Sequence, residues 1–346
     1  MTLVGRKLRM SLPLEARKYK TYRMKLFFSK GAVFYACYNF RLFLFLLSRR
    51  KIDVLVANDL DTLPANYLVS RIRRVPLVYD SHEYFTEVPE LIGRNRVRNI
   101  WLKIEKWILP RLRIAYTVSQ PIADSYTQKY GTEFEVIHNY PLKKKDVKPF
   151  QLPFSLGRDK LLIYQGAVNL GRGLELLIET VGEMEHVKLV IAGDGDIRKS
   201  LEKKITEMGL GNKILMIGKI HFEQLHSFTV QATAGVSLEE DMGLNYRYAM
   251  PNKLFDYIQA GIPVIVSSLP EMKKVVEKYK IGIIAETREK DELSLLLKTL
   301  LFDEEKRAFW KQGLKLAADD LCWENEEEML IGIYKKTGIK LSISES

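Results

Sequence analysis

The strongest constraint on the fold is a repeated alternation of short, β-rich apolar runs with amphipathic helical patterns. In the first half the apolar runs are Ile52–Ala57, Leu77–Tyr79, Ile114–Val118 and Val136–Ile137. In the second half they are Leu161–Tyr164, Leu189–Ala192, Ile214–Ile217, Gly235–Leu238, Val264–Val266 and Ile283–Ala285. Strands that alternate with helices in this way form parallel sheets. The sequence therefore predicts an α/β protein.

The chain divides near its middle. Between Pro141 and Pro153, prolines and the basic run Lys143–Lys145 interrupt both periodicities. A length of 346 residues also fits two domains at about 150 residues each. We predict Rossmann-like domains over residues 1–150 and 151–321, with a helix over 322–346 that returns toward the first domain. A basic segment follows Thr2–Val4 where a helix is expected, so the first domain is predicted to be incomplete at its start.

The two halves differ in charge. Residues 1–150 contain 28 Lys and Arg against 13 Asp and Glu, whereas residues 151–346 contain 26 against 30. A net charge of +15 against −4 indicates an anionic partner for the first half, either a membrane surface, a polyphosphate or a nucleic acid. A solvated basic face is the alternative. No RRM, KH or helix-turn-helix pattern is present, which argues against nucleic acid.

Several features favour a cytoplasmic protein without a structural metal or cofactor. The apolar stretch Phe34–Leu47 is interrupted by Asn39 and Arg41 and is too short to span a bilayer. The basic first 30 residues lack the apolar core of a signal peptide. Cys37 and Cys322 form no metal or disulfide pattern, and the five histidines are scattered.

Two glycine-rich turns follow predicted strands of the second half, at the sheet edge where open α/β sheets bind ligands. In Gln165–Gly173, the backbone at Gly166 and the side chain of Arg172 could hold a phosphate at a helix amino terminus. The second turn contains Gly193 and Gly195 but not a complete GxGxxG pattern. A plain connection between strand and helix explains either turn equally well.

A third element, Tyr248–Ile265, combines a helix with the start of a strand. Pro251 suits the first turn of this helix and Gly261 its carboxyl end. Lys253 and Asp256 are three residues apart and therefore share one helix face. They are either a surface ion pair or a phosphate-binding lysine beside a carboxylate that accepts ribose hydroxyls.

These motifs and their order resemble glycosyltransferase family four, whose enzymes have the GT-B fold of two Rossmann-like domains facing a cleft. The resemblance extends over most of the chain. Its segments are Asp53–Pro64, Tyr79–Pro89, Gly218-Lys219, Pro251–Ile265, Glu271-Met272 and Trp323–Glu326.

The resemblance implies a nucleotide-diphosphate sugar bound by the second domain and an acceptor bound by the first, with retention of anomeric configuration. The donor-binding residues that it implies are Gly166, Arg172, Gly193, Gly195, Gly218, Lys219, Asn252, Lys253 and Asp256. His82 lies where the family has a histidine near the transferred sugar. A glycan or lipid-linked acceptor, cell-surface polysaccharide or glycolipid assembly, metal independence and docking on the inner membrane face are further expectations.

Besides its shortened start, the sequence departs from the family at a phosphate-binding loop and at a catalytic carboxylate. Gly166-Ala167 replaces the usual Gly-Arg of the first phosphate loop. Eight residues before Asp256, Tyr248 replaces the family's first glutamate, whereas Glu240 begins a similar Glu-x-x-Gly-Leu element. Glu240 and Tyr248 are therefore alternatives for this position, and Glu240 joins His82 as a predicted catalytic residue.

Two other interpretations remain open. The chain could be a sugar-nucleotide epimerase of the same fold, or an inactive truncated relative that binds membranes or anions. The Asp59-Leu60-Asp61 pattern is how another glycosyltransferase fold holds a metal and a sugar diphosphate. Because two Rossmann-like halves argue against that fold, we interpret these carboxylates as loop and helix-cap groups.

Overall fold

A computed structural model describes residues 1–8, 11, 13–14, 16–28, 30–91, 93–143, 152 and 155–339. Most of the predicted linker, including Lys144 and Lys145, lies outside these residues. In the part of the chain that is described, no helix is long and apolar enough to cross a membrane.

The first half contains two separate parallel sheets. Strands β1 (Thr2–Lys7) and β2 (Lys20–Lys25) pair with each other, and helix α1 (Gly31–Leu47) follows them. The larger sheet has the order β3 (Leu55–Asn58), β4 (Leu77–Ser81), β5 (Ile114–Thr117), β6 (Glu135–Val136). Its connecting helices are α2 (Leu63–Arg73), α3 (Asn95–Ile108) and α4 (Gln120–Tyr130).

The second half contains one parallel sheet of six strands. They are β7 (Lys160–Gln165), β8 (Val187–Ala192), β9 (Ile214–Gly218), β10 (Ala234–Ser237), β11 (Val264–Ser267) and β12 (Gly282–Ala285). Their order is β12-β11-β10-β7-β8-β9. The order reverses between β7 and β10, and this topological switch point is where such sheets bind ligands.

Helices cover the second sheet and return the chain to the first. They are α5 (Leu174–Glu183), α6 (Arg198–Glu207), α7 (Phe222–Thr229), α8 (Leu244–Tyr248), α9 (Asn252–Gln259), α10 (Pro270–Tyr279), α11 (Lys290–Phe302), α12 (Glu304–Asp320) and α13 (Trp323–Lys335). Ile333 of α13 is buried against β4 and β5 of the first half. His138 Nδ1 lies 2.9 Å from Glu326 Oε1, which anchors the start of α13 to the same half.

Both faces of the second sheet are buried, which explains its continuous apolar runs. Along β7, Leu162 and Tyr164 pack into one core layer, and Leu161 and Ile163 pack into the opposite layer. The α/β class with two parallel-sheet halves is confirmed, and each apolar run named above forms a strand within a few residues of its expected limits. The domain boundaries at 150 and 321 stay predictions.

Candidate active site

A cavity of about 420 Å³ lies between the carboxyl ends of the two large sheets. The first half contributes His82 after β4 and Asn139 after β6. The second half contributes the loop after β7 and the start of α9. Among the predicted site residues, those that line the cavity are His82, Gly166, Arg172, Asn252, Lys253 and Asp256. The structure therefore brings donor-side and acceptor-side predictions together in one cleft.

Two cations that line the cleft, Lys253 and Arg172, share a carboxylate, Glu239, that is buried behind the cavity wall, and together they form its charged centre. Glu239 follows β10 at the switch point, and its Oε1 contacts both Lys253 Nζ and, at 3.4 Å, Arg172 Nη1. Ser237 Oγ donates a hydrogen bond of 2.7 Å to Glu239 Oε2. Lys253 and Glu239 are both buried, and Lys253 Nζ also lies over the ring of Tyr164.

This centre carries one more positive than negative charge. Burial opposes ionisation of Glu239, but the adjacent Lys253 and Arg172 hold the pKa of this carboxyl below its usual value. Arg172 Nε is buried, and no group in the described part of the chain accepts a hydrogen bond from it. An unsatisfied guanidinium donor at the edge of a cavity is a ready partner for a phosphate oxygen.

Asp256 is oriented by its own side-chain network. Gln165 Nε2 donates a 2.8 Å hydrogen bond to Asp256 Oδ2, and Thr229 Oγ1 donates a 2.7 Å bond to Gln165 Oε1. Lys253 is paired with Glu239 and not with Asp256, so the surface ion pair considered from the sequence does not form. The two side chains instead occupy separate positions along the cavity wall.

Four predicted donor-binding residues do not line this cavity: Gly193, Gly195, Gly218 and Lys219. Gly193 has φ +157°, and a Cβ there would lie 1.8 Å from the Gly166 carbonyl oxygen, so close packing of two loops requires glycine. Lys219 is exposed, with its Nζ 3.9 Å from Asp194 Oδ2. Their predicted contacts with the donor stay predictions.

Glu239 is not among the site residues predicted from the sequence. Glu240, the predicted catalytic carboxylate, does not line the cavity and instead accepts a 2.9 Å hydrogen bond from exposed Arg288. Tyr248 packs against the core of the first half and does not line the cavity either. The signal that could have found Glu239 is its spacing of two residues from Ser237, the last residue of β10, whose hydroxyl donates to this carboxylate.

His82 faces the cleft from the opposite wall and is held by two aspartates. Its Nε2 lies 3.0 Å from Asp80 Oδ2, and its backbone N–H donates a 2.9 Å hydrogen bond to Asp59 Oδ1. The hydrogen bond with Asp80 raises the pKa of His82, although burial opposes this shift. The negative charges of Asp80 and Asp59 raise this pKa further.

The Asp59-Leu60-Asp61 carboxylates are not helix caps in the expected sense. Thr62 occupies the N-cap position of α2 and makes no side-chain cap bond, whereas Asp59 fixes the backbone before His82. Burial, with the nearby Asp59 charge, raises the pKa of Asp61 to about 6. No group of three potential ligands placed to hold a metal occurs among the described residues.

Helix α8 connects the two walls of the cleft. The Tyr84 N–H of the first half donates a 3.0 Å hydrogen bond to Asn245 Oδ1 of α8. Leu244 and Tyr248, at either end of α8, pack against the core of the first half. Helix α8 of the second half therefore bridges the two halves beside the cleft, and its Asn245 also lines the cavity.

Two family models match nearly consecutive parts of the chain. Residues 2–140 match the model described as "Glycosyltransferase Family 4". Residues 148–315 match the model described as "Glycosyl transferases group 1".

Two curated relatives are similar in sequence. An uncharacterized glycosyltransferase of Methanocaldococcus jannaschii is 26% identical over 183 residues, which are 51% of this chain and 45% of the relative. The alpha-D-kanosaminyltransferase of Streptomyces kanamyceticus is 24% identical over 291 residues, which are 79% of this chain and 74% of the relative. The chain thus spans less than half of the first relative and about three quarters of the second.

Solved structures share the fold at lower identity. Sucrose-phosphate synthase of Thermosynechococcus elongatus has a TM-score of 0.75 at 17% identity, covering 97% of this chain and 88% of that one. HepE of Anabaena, in complex with UDP and glucose, has a TM-score of 0.72 at 16% identity, covering 92% and 86%.

Proposed function

The chain belongs to glycosyltransferase family 4, and from this premise we propose that it transfers a sugar from a nucleotide-diphosphate donor to an acceptor hydroxyl group. The observation that carries this proposal is the net positive centre of Lys253, Arg172 and Glu239 at the switch point of the second sheet. A diphosphate is opposite in sign to this positive centre and would accept a hydrogen bond from Arg172 Nε. HepE, which shares the fold, binds UDP and UDP-glucose.

In this proposal, fixed cations of the protein stabilise the departing diphosphate, so its departure needs no metal ion. Arg172 and Lys253 both face the cavity, and Lys253 is held rigidly because it is buried on the first turn of α9. Cations that are already oriented stabilise developing charge without reorganising during the reaction. Retention of anomeric configuration is proposed from the family resemblance, and no covalent nucleophile is assigned.

His82 serves the acceptor side in this proposal. It lies on the wall opposite the cationic centre, and Asp80 and Asp59 fix its ring and its backbone. A group held in this way can orient the transferred sugar or the acceptor hydroxyl. We expect His82→Ala to lose turnover and to keep both donor binding and the fold.

We propose a glycan or lipid-linked acceptor in cell-surface polysaccharide or glycolipid assembly, with the protein docked from the cytoplasm on the inner membrane face. Residues 16–52 contain ten Lys and Arg and no Asp or Glu. Within this segment, Val33, Phe40 and Leu44 are exposed along one face of α1, and Phe27 is exposed just before it. Apolar side chains surrounded by cations suit an anionic bilayer.

The donor proposal is tested by thermal stabilisation with UDP-, GDP- and ADP-sugars. A donor at 100 times its dissociation constant stabilises the folded protein by about 2.7 kcal/mol. Lys253→Ala and Asp256→Asn should each weaken donor binding by about 1.5–3 kcal/mol, since each loses a charge-assisted contact. Lys290→Ala, which removes a lysine from the surface pair with Glu183, is the matched control.

The proposal fails if both cleft variants bind the donor as tightly as the wild-type protein. Product analysis with the stabilising donor then separates transfer from epimerisation. Transfer releases the nucleoside diphosphate and forms a new glycoside, whereas an epimerase leaves the sugar attached to its nucleotide.

A further inference from the structure

A second cavity, larger than the active-site cleft, lies at the opposite end of the first-half sheet. Its volume is about 650 Å³. Pro76 and Leu77 at the start of β4, and Arg113 and Ile114 at the start of β5, form part of its wall. His82 lies five residues beyond Leu77, just past the carboxyl end of β4. The length of a strand, about 13 Å or more, therefore separates the two cavities.

Of the residues that the structure describes, five cations and no carboxylate line this cavity. They are Arg71, Arg74, Arg111, Arg113 and Lys336, and we call the site the arginine cavity. Three separate elements supply them: the end of α2, the turn between α3 and β5, and the residue after α13. Cations that are distant in sequence thus converge on one space.

Partners inside the protein neutralise only part of this charge. Lys336 Nζ lies 2.9 Å from Glu135 Oε1, and Arg111 donates to the carbonyl oxygen of Trp107. Among the described residues, no carboxylate is within ion-pair distance of Arg71, Arg74 or Arg113. Three arginines of the cluster therefore line the cavity without a carboxylate partner among the described residues.

Helix dipoles stabilise part of this positive charge in the absence of a ligand. Three helices end at the cavity, and each carboxyl terminus carries about half a negative charge. Together they offset about one and a half of the four guanidinium charges. Roughly two to three positive charges remain, which matches the charge of a diphosphate group and exceeds that of a carboxylate.

We propose that the arginine cavity binds a diphosphate group, free in solution or attached to a lipid. Guanidinium groups suit this ligand because each can donate two parallel hydrogen bonds to phosphate oxygens. Tyr67 contributes an aromatic wall to the cavity and packs edge-on against Trp107. The site is separate from the proposed donor site and does not depend on it.

The test uses inorganic pyrophosphate with the full chain and compares two double variants. Arg71→Gln with Arg113→Gln removes two unpaired cations of the cavity. Arg94→Gln with Arg96→Gln removes the same charge from exposed positions that line neither cavity. Arg172→Gln reports on pyrophosphate that binds in the active-site cleft.

We expect pyrophosphate to slow hydrogen exchange in residues 70–77 and 111–114 and to raise the melting temperature. The R71Q/R113Q variant should lose this protection and bind pyrophosphate about tenfold or more weakly, since each lost charge-assisted bond accounts for about a factor of ten. R94Q/R96Q and R172Q should keep the protection of these segments. Without ligand, R71Q/R113Q should melt no lower than the wild type because it removes like-charge repulsion.

Two results would overturn the proposal. One is unchanged hydrogen exchange in both segments, and the other is wild-type pyrophosphate affinity in R71Q/R113Q. Phosphatidylcholine vesicles that contain diacylglycerol pyrophosphate identify the source of the ligand. Loss of both pyrophosphate and vesicle binding in R71Q/R113Q assigns the cavity to a membrane-linked diphosphate, and loss of pyrophosphate binding alone assigns it to a soluble one.

Discussion

Glu239 determines the charge of the cleft because it is the buried carboxylate shared by two cations. A lysine and an arginine that both face one small space repel each other, and Glu239 offsets this repulsion in the free protein. Such a buried group adds little net stability, since desolvation cancels much of the Coulomb attraction. Burial lowers the pKa of Lys253, and the charge of Glu239 opposes this shift and orients the lysine before a donor arrives.

At the residue scale, His82 also predicts how the stability of the fold depends on pH. The hydrogen bond with Asp80 raises its pKa in the folded state, with Asp59 and Glu83 adding negative charge nearby. Protonated His82 therefore stabilises the fold below its ordinary pKa of about 6.5, and this contribution disappears as pH rises through the raised folded value. In urea unfolding, His82→Gln should cost the most stability at acidic pH and little at alkaline pH.

Asp80→Asn is the control for this mechanism. It should return the pKa of His82 toward its ordinary value, measured by NMR titration of the ring, because it removes the charged acceptor 3.0 Å away. An unchanged titration in Asp80→Asn would contradict the assigned cause. A stability difference for His82→Gln that does not vary with pH would contradict the linkage.

At the scale of elements, α8 should control how firmly the two walls of the cleft are joined. Leu244→Ala removes apolar contact with the first-half core, and we expect faster hydrogen exchange around residues 84–88 and a loss of about 1–2 kcal/mol. Leu316→Ala, at an exposed position of α12, is the matched control. Equal exchange in both variants would show that α8 does not hold the walls together.

The strands and the site differ in how far sequence could predict them. The strands of the second half are buried on both faces, so their apolar runs stand out without structural knowledge. The choice between Glu239 and Glu240 depends on the side of the sheet to which each residue projects, and a one-residue shift reverses this. Packing of α8 on the first half is a long-range contact that no local pattern encodes.

At the scale of the whole molecule, the basic clusters of the first half differ in how far partners within the protein already neutralise their charge. Arg98 pairs with Glu87, Lys143 pairs with Asp319, and Arg73 donates to the carbonyl oxygen of Leu47. These contacts reduce the charge that those clusters can offer to a partner. The arginine cavity and the basic segment around α1 therefore become the main anion-attracting regions.

The final prediction concerns docking of α1 on an anionic membrane. Phe40→Ser with Leu44→Ser should reduce co-sedimentation with phosphatidylglycerol vesicles about tenfold or more, since each inserted apolar side chain contributes about 1.5–3 kcal/mol. Leu295→Ser with Leu316→Ser changes two equally exposed leucines of the second half and should leave binding unchanged. High salt should weaken the wild-type association because each cation near an anionic surface adds about 1 kcal/mol that salt screens. Equal recovery of both double variants would show that α1 is not the membrane-facing element, and equal recovery on neutral and anionic vesicles would exclude the electrostatic contribution.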